Sequence, residues 1–463
     1  MVFSDLFFLF AFLPAFVVCY LIAAALGRGN TLKNLVLVLF SLVFYAWGEP
    51  VYVLLMVATV VMNYFAGLAV DAAQSHRKAA MATAVAMNVA VLGVFKYAGF
   101  IATTLCDVGI SVPVPQISLP IGISFYIFQS ISYIVDVYRR ESPVQRRFYN
   151  LLLYVSMFPQ LIAGPIVRYG TVAEEITRRK VTADDVAEGV WRFIIGLTKK
   201  VVIANQLSEI SSRLLTDGLP HLTTTGAWVG IVAFTLQIYY DFSGYSDMAI
   251  GMGRAMGFHF RENFDHPYCC RSITDFWRRW HISLGSFFRD YVYIPLGGNR
   301  RHQPLNILAV WFLTGMWHGA SWNFILWGLY FGLIVMVEKH VRIKSHLYSM
   351  ALVVIGWGIF YYDDLASLQT FFWAFFGMAP VFTDFMTEST LADSFWLWVA
   401  AIAFVMPLRR WSGRLLSAAL SRWPVAHSTV RFAFRATFSI VALGVSVALL
   451  VGATNNAFIY TRF

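Results

Sequence analysis

The chain has 463 residues, of which 59% are hydrophobic, 17% aromatic and only 13% charged, with a mean hydropathy of +0.64. An ordinary soluble domain carries about 25% charged residues, so the composition excludes one and points to a polytopic membrane protein; 32 glycines and 15 prolines are too few for a disordered or collagen-like chain but enough to interrupt several helices. The formal net charge of +10 reads as an excess of Lys and Arg in cytoplasmic loops, not as a nucleic-acid surface, with some arginines left over for an anionic ligand or lipid head groups.

A helix needs about 20 apolar residues to cross a bilayer. On that measure the predicted spans are 5–26, 31–47, 50–70, 80–105, 117–138, 148–165, 186–206, 225–252, 304–318, 320–337, 348–362, 393–407 and 432–453. Some of these are expected to be re-entrant or interfacial, which gives an all-α bundle of about eleven crossings forming a single domain over residues 1–463. The first run has no basic region before it and reads as a retained span, not a removable signal. Basic residues follow alternate spans: Arg28 and Lys33, then His76, Arg77 and Lys78, then Arg139, Arg140, Arg146 and Arg147. The intervening connections, 47–50 and 106–118, are poor in them, so the N-terminus is expected outside the cytoplasm of a bacterial inner membrane.

Two regions interrupt the up-and-down pattern. In Phe148–Lys180 the run FPQLIAGPIVRYG carries two prolines and two glycines. Backbone that leaves a helix at membrane depth must be buried in protein or face water. The second region, Gly253–Gln303, is rich in Arg and amphipathic, and is read as helices lying at the cytoplasmic interface. Within it Asp275 and Arg279 are spaced to pair on one helical face, with Phe276, Trp277, Trp280 and Phe287 against lipid or protein. The stretch Asp363–Asp393 is too mixed to assign. Cys19, Cys106, Cys269 and Cys270 show no metal-ligand spacing, so they are read as reduced and structural, and no metal site is expected.

The most informative segment is WFLTGMWHGASWNFILWGLYFG, Trp311–Gly332. His318 sits in its middle, and no Asp, Glu, Lys or Arg occurs from His302 to Val337. An ionisable group there costs desolvation energy and is usually kept for a reason. A neutral imidazole can accept a proton, so His318 reads as a base held inside the membrane; the plainer alternative is a packing histidine bonded to a neighbouring helix. His281, in FWRRWHISLG, is a second candidate and is ambiguous by itself. The arginines beside it, Arg278 and Arg279, together with Trp280, could meet a polyanionic donor such as coenzyme A, or form a solvated cationic face. Asp241 and Asp247 are six residues apart and do not share a helical face, which argues against a paired-carboxylate device. Hydrogen bonding to backbone at a helix break, or pairing with Arg or Tyr, is the expectation for both. Ser243 and Gly244 suit close helix packing. Glu49 and Asp136, near the ends of spans, are expected to be solvated or to cap helices. Gly251-Met252-Gly253 does not follow a strand, so a dinucleotide site has little support. Ser321, three residues after His318, gives a hydrolase triad equally little.

These stretches together resemble the membrane-bound O-acyltransferase family, in particular its bacterial alginate O-acetyltransferase branch. The residues that carry the resemblance are MVFSDLFFLFAFLP at the start, LPIGISFYIFQSISYIVDVYR (Leu119–Arg139), FPQLIAGPIVRY (Phe158–Tyr169), QIYYDFSGYSDMAIGMGRAMGF (Gln237–Phe258), NFDHPYCCRSITDFWRRWHISLGSFFRDYVYIPLGGNR, TGMWHGASWNFILWGLYFG and the final AFIYTRF. Residues from about His340 to Gly452 are much less diagnostic. The resemblance implies a funnel-shaped helical bundle with a central passage, in which the WHG histidine, here His318, is catalytic and the RRWHISL histidine, here His281, is the second family histidine. It further implies transfer of an acetyl group from acetyl-CoA, a substrate and not a bound cofactor, toward an extracytoplasmic polysaccharide of the alginate type. A periplasmic or membrane-anchored partner would complete the transfer. Trp317, Ser321 and Asn323 are lining candidates on proximity to His318 alone. Peptidoglycan or cellulose acetylation and D-alanyl transfer from a carrier protein remain open within the family. Outside it stand a proton-coupled transporter using His318, Asp241 and Asp247, and a secretion scaffold.

Overall fold

The computed structural model describes residues 2–27, 29–162, 164–341, 343–407, 424–453 and 458–459, with the side chains of 424–428 excepted. Arg28 and most of the AFIYTRF ending therefore lie outside the described residues. Every regular element among the described residues is helical. The first four helices, α1 (Phe8–Leu26), α2 (Thr31–Gly48), α3 (Tyr52–Ala72) and α4 (Arg77–Asp107), are long and apolar enough to cross a membrane. Their inward faces are aromatic. Phe8, Phe12 and Phe16, spaced one helical turn apart, meet the Phe158 ring, which sits 5.2–6.4 Å from each of the three, and the first two also meet Phe44.

α5 (Ile123–Arg139) starts later than the expected span because Pro113, Pro115 and Pro120 cannot continue a helix, and Gly122 turns the chain with φ of 75°. It is buried almost all round. The expected span at 148–165 breaks in two, α6 (Phe148–Ser156) and α7 (Phe158–Leu161), with the kink at Met157 ahead of Pro159. The freed backbone is buried in protein and satisfied there: Phe158 N–H donates to Ser41 Oγ at 3.1 Å. α8 (Tyr169–Arg178) leads to α9 (Ala183–Thr198), which opens on a reciprocal cap between Thr182 and Asp185. The chain continues through a π turn (Lys199–Ala204) into α10 (Asn205–Ser212). α11 (Thr224–Ala255) then runs 32 residues through the centre of the bundle. Gly244 lies hard against the backbone at Gly196, the close packing expected of it.

The Arg-rich region folds as two short helices, α12 (Ile273–Arg279) and α13 (Ile282–Phe288), followed by a turn at Arg289–Tyr293. Asp275 and Arg279 pair at 2.9 Å as their spacing requires. The aromatic side chains face protein: Phe276, Trp280 and Phe287 are buried, and Phe287 stacks on Phe128 at 4.2 Å. Asp136 is buried too, where a solvated role was expected, because it accepts from Tyr291 Oη at 2.6 Å. Asp290, between Arg168 (2.6 Å) and Arg289 (2.6 Å), fastens the same turn. Burial alone would raise its carboxyl, but the two guanidiniums outweigh that and hold it below the ordinary carboxylate range. Glu49 likewise is no free loop residue; its carboxylate accepts from Ile121 N–H at 3.1 Å.

α14 (Gln303–His318) and α15 (Trp322–His340) form a hairpin, followed by α16 (His346–Tyr361), α17 (Leu365–Phe375), α18 (Phe385–Asp393), α19 (Phe395–Val405) and α20 (Pro424–Val451). α18 and α19 together could make one crossing bent by 64°. By length and composition five helices among the described residues, or six with that pair, are long and apolar enough to span a membrane. The other helices either are cut short by Pro and Gly or carry polar side chains into the interior of the bundle, which lowers their apolar content without exposing them.

Candidate active site

The two arms of the α14–α15 hairpin touch through Gly315 and Gly328, where a methyl group on either would overlap a carbonyl oxygen of the other arm. That contact sets a tight turn, His318 to Ser321, at the tip. Arg300 and Arg301 precede the first arm and Lys339 ends the second, so the basic groups lie at one end of the hairpin and His318 at the other, about 24 Å away at 1.5 Å per residue. His318 is only 4% exposed. Its ring stands edge-on in an aromatic box of Trp317 (4.9 Å), Trp327 (4.9 Å) and Phe360 (5.3 Å).

His281 joins α12 to α13 with φ of 45° and ψ of 54°, a left-handed conformation that costs a non-glycine residue about 1–2 kcal/mol. It is 2% exposed. Asn263 holds it in place. The Asn263 Oδ1 accepts from Ser283 N–H (3.2 Å), Ser283 Oγ (2.8 Å) and His281 Nδ1 (3.1 Å), its Nδ2 donates to Ser246 Oγ (3.2 Å), and its backbone carbonyl accepts from Ile282 N–H (2.9 Å). Because a backbone N–H fixes Asn263 Oδ1 as an acceptor, His281 Nδ1 must carry its proton, and Nε2 keeps a lone pair. That Nε2 is buried with no hydrogen-bond partner among the described residues. The Trp317 ring contacts both histidines, 5.6 Å from His281 and 4.9 Å from His318, and is pinned by Phe125 at 5.3 Å. Three elements far apart in the chain thus converge on one place.

Behind Asn263 a small cleft of about 90 Å³ opens among Arg192, Lys199, Asp247, Glu262 and Ser243. Its charges are paired with one another: Asp247 lies 2.8 Å from Arg192 and 2.7 Å from Lys199, and Arg192 lies 2.5 Å from Glu262. Asp241 is elsewhere, 2.6 Å from Lys200, and accepts from the Ile459 N–H at 2.8 Å. Both aspartates therefore pair as expected in kind, though along an unbroken helix and mainly with lysines. The bond from Ile459 to Asp241 also docks Phe458, whose ring lies 4.9 Å from Tyr245; Phe3 stacks on the same tyrosine at 4.5 Å.

The remaining expected site residues fall in different places. Trp280 is 1% exposed and packs on Phe264, Phe276 and Trp357. Arg278 is exposed, and Arg279 is engaged by Asp275. Ser321 Oγ bonds Asn323 Oδ1, and Asn323 Nδ2 reaches the carbonyls of Ile359 (3.5 Å) and Phe360 (3.4 Å), tying the hairpin turn to α16.

Residues 137–362 match the model of MBOAT, the membrane-bound O-acyltransferase family, and both histidines lie inside that stretch. Over 385 residues, 79% of this chain and 73% of the relative, the sequence is 43% identical to the probable alginate O-acetylase AlgI of Pseudomonas syringae pv. tomato. The chain belongs to the membrane-bound O-acyltransferase family. It is 34% identical to the peptidoglycan O-acetyltransferase of Helicobacter pylori over 412 residues, 81% of this chain and 77% of that one. It is 26% identical to the teichoic acid D-alanyltransferase of Bacillus subtilis over 228 residues, 46% of this chain and 58% of that one. This MBOAT protein is an O-acyltransferase with multiple membrane helices.

Two residues of the site were not singled out in the sequence. Asn263 lies in NFDHPY, where nothing distinguishes it from a loop asparagine. Lys96 is different: it is a lone cation in the apolar run VLGVFKYAGF, the same signal that marks His318.

Proposed function

We propose that the protein moves an acetyl group from cytoplasmic acetyl-CoA to hydroxyls of an extracytoplasmic polysaccharide of the alginate type, with His318 as general base. The observation that carries this reading is the convergence of His318, Trp317 and His281 in a buried place at the tip of the hairpin, far from its basic end. The similarity to alginate O-acetylases over most of both chains supports the acceptor class.

Coenzyme A is a polyanion that hydrocarbon excludes, so only its acyl end needs to reach the tip. The acceptor hydroxyl attacks the thioester carbonyl while His318 takes its proton. The tetrahedral adduct expels the thiolate, which recovers that proton, leaving the O-acetyl ester and free coenzyme A. Base assistance of this kind is worth about 10²–10⁴-fold. His281 Nε2, without a hydrogen-bond partner among the described residues, serves as a second polar contact for the reacting groups. Arg278 and Arg279 face the donor, and a periplasmic or membrane-anchored partner receives the acetyl group for the polymer. With this assignment the membrane is the bacterial inner membrane and the N-terminus lies outside.

The test is transfer from labelled acetyl-CoA to alginate oligosaccharide by purified protein. His318→Ala should lose about 10²–10⁴-fold in turnover while melting close to wild type. A folded variant with full turnover would sink the assignment. Acetylation of peptidoglycan fragments in preference to alginate would move the acceptor to that of the Helicobacter relative.

A further inference from the structure

The hairpin tip has a feature that the chemistry above does not use. Lys96, only 8% exposed, comes from α4, about 28 Å along that helix from Arg77. Its Nζ donates to Trp317 O, to His318 O (3.4 Å) and to Ser124 Oγ (3.3 Å). Its neighbour Tyr97 donates from Oη to Met316 O at 2.7 Å. The last three carbonyls of α14 are thus taken, in order, by two adjacent side chains of one other helix.

We propose that Lys96 is a positioning residue for His318: its ammonium fixes the final turn of α14 and so aims the imidazole and Trp317. The proposal rests on the assignment of His318 above. Helix C-terminal carbonyls need partners, and a cation there is favoured by the helix dipole. Neutral groups could supply those partners, and a buried cation at membrane depth is expensive. An ammonium has three N–H bonds, and three acceptors meet it here. The carbonyls held belong to the two residues whose side chains make the site, so slack at Lys96 is transmitted directly to the ring. In an α-helix each residue turns the chain by about a quarter of a circle, so unwinding by a single residue would swing His318 out of its box. Lys96 itself is committed to two main-chain oxygens and the Ser124 hydroxyl and does not touch the reacting groups.

The test compares Lys96→Met, Lys96→Arg and wild type in the acetyl-CoA assay, at equal amounts of folded protein. Misplacement of about 1 Å costs on the order of 100-fold. We expect Lys96→Met to lose about 10–100-fold in kcat, with KM for acetyl-CoA within about twofold of wild type, and Lys96→Arg to recover at least part of the loss. A folded Lys96→Met with wild-type kcat overturns the proposal, as does a Lys96→Arg no better than Lys96→Met. If Lys96→Met does not fold, Tyr97→Phe releases only the Met316 carbonyl; a lowered kcat at unchanged KM supports the proposal and an unchanged kcat overturns it. Full activity in His318→Ala would instead remove the underlying assignment, whatever Lys96 does.

Discussion

The two buried histidines are held in opposite ways. His318 ends a regular helix, its ring surrounded by aromatic faces, and the hydrogen bonds that fix it come from Lys96 to its main chain. His281 sits on strained left-handed backbone between two short helices, and it is fixed through its ring, by Asn263. A bond to the main chain sets where a ring sits without fixing which of its nitrogens carries the proton. Holding it by Nδ1 fixes the tautomer and aims one lone pair. The first suits a group that changes protonation during a reaction; the second suits a group that keeps one state and contacts what arrives.

The comparison breaks most visibly at Asn263. Asn263→Ala removes the acceptor of Nδ1 and unties Ser283, which should cost about 1–3 kcal/mol of local stability and about 10–100-fold in transfer, the usual range for losing a residue that orients a site group. If Asn263 acts through His281, the double variant Asn263→Ala/His281→Ala should be no slower than His281→Ala alone. Multiplying losses would mean that Asn263 has a separate role. Combining Asn263→Ala with His318→Ala, by contrast, should expose little coupling to the hairpin tip.

The strain at His281 gives a smaller effect. His281→Ala and His281→Gly remove the same imidazole, but only glycine adopts φ of 45° without penalty. Both should lose activity to the same extent, while the glycine variant should be more stable by about 1 kcal/mol. Measuring melting of the two in detergent checks this. Equal melting would mean that the turn relaxes when the ring is gone, and that the ring, not the surrounding helices, imposes the conformation. No such difference is expected at residue 318, which lies in ordinary helix.

The contrast also explains what the sequence disclosed. His318 was legible because an apolar run of thirty-odd residues makes any polar group conspicuous, and the spans flanking it fell where the helices are. His281 stood among arginines and aromatics, where an interfacial histidine has little contrast; it was a candidate but ambiguous until the resemblance was drawn. Asn263 gave no local sign, since its importance lies in being packed 18 residues away from the group it holds. Where the spans begin and break was less legible, for a related reason. Apolar windows count residues, but residues 117–121 and Met157 leave the helix because of nearby prolines, and Asp241 and Asp247 are neutralised by lysines from a neighbouring helix that no window includes.

The smallest expected effect is at the arginines between the two regions, and it separates donor capture from chemistry. Arg278 is exposed, whereas Arg279 already spends its charge on Asp275 at 2.9 Å. A surface pair of this kind stabilises by less than about 1 kcal/mol, so neither variant should change melting appreciably. If coenzyme A approaches along this face, Arg278→Ala should raise KM for acetyl-CoA by about two- to fivefold at low salt and leave kcat alone. Arg279→Ala should raise it at least as much, because removing it also frees the Asp275 carboxylate beside the path of the anionic donor. At about 1 M salt the Debye length falls to about 3 Å and the difference should vanish. Salt dependence confined to KM would place these arginines with the arriving donor, well away from the ring that takes the proton. An Arg278→Ala protein whose KM matches wild type at every ionic strength would take Arg278 out of the donor path, and the paired cations of the cleft behind Asn263, Arg192 and Lys199, would be the next to examine.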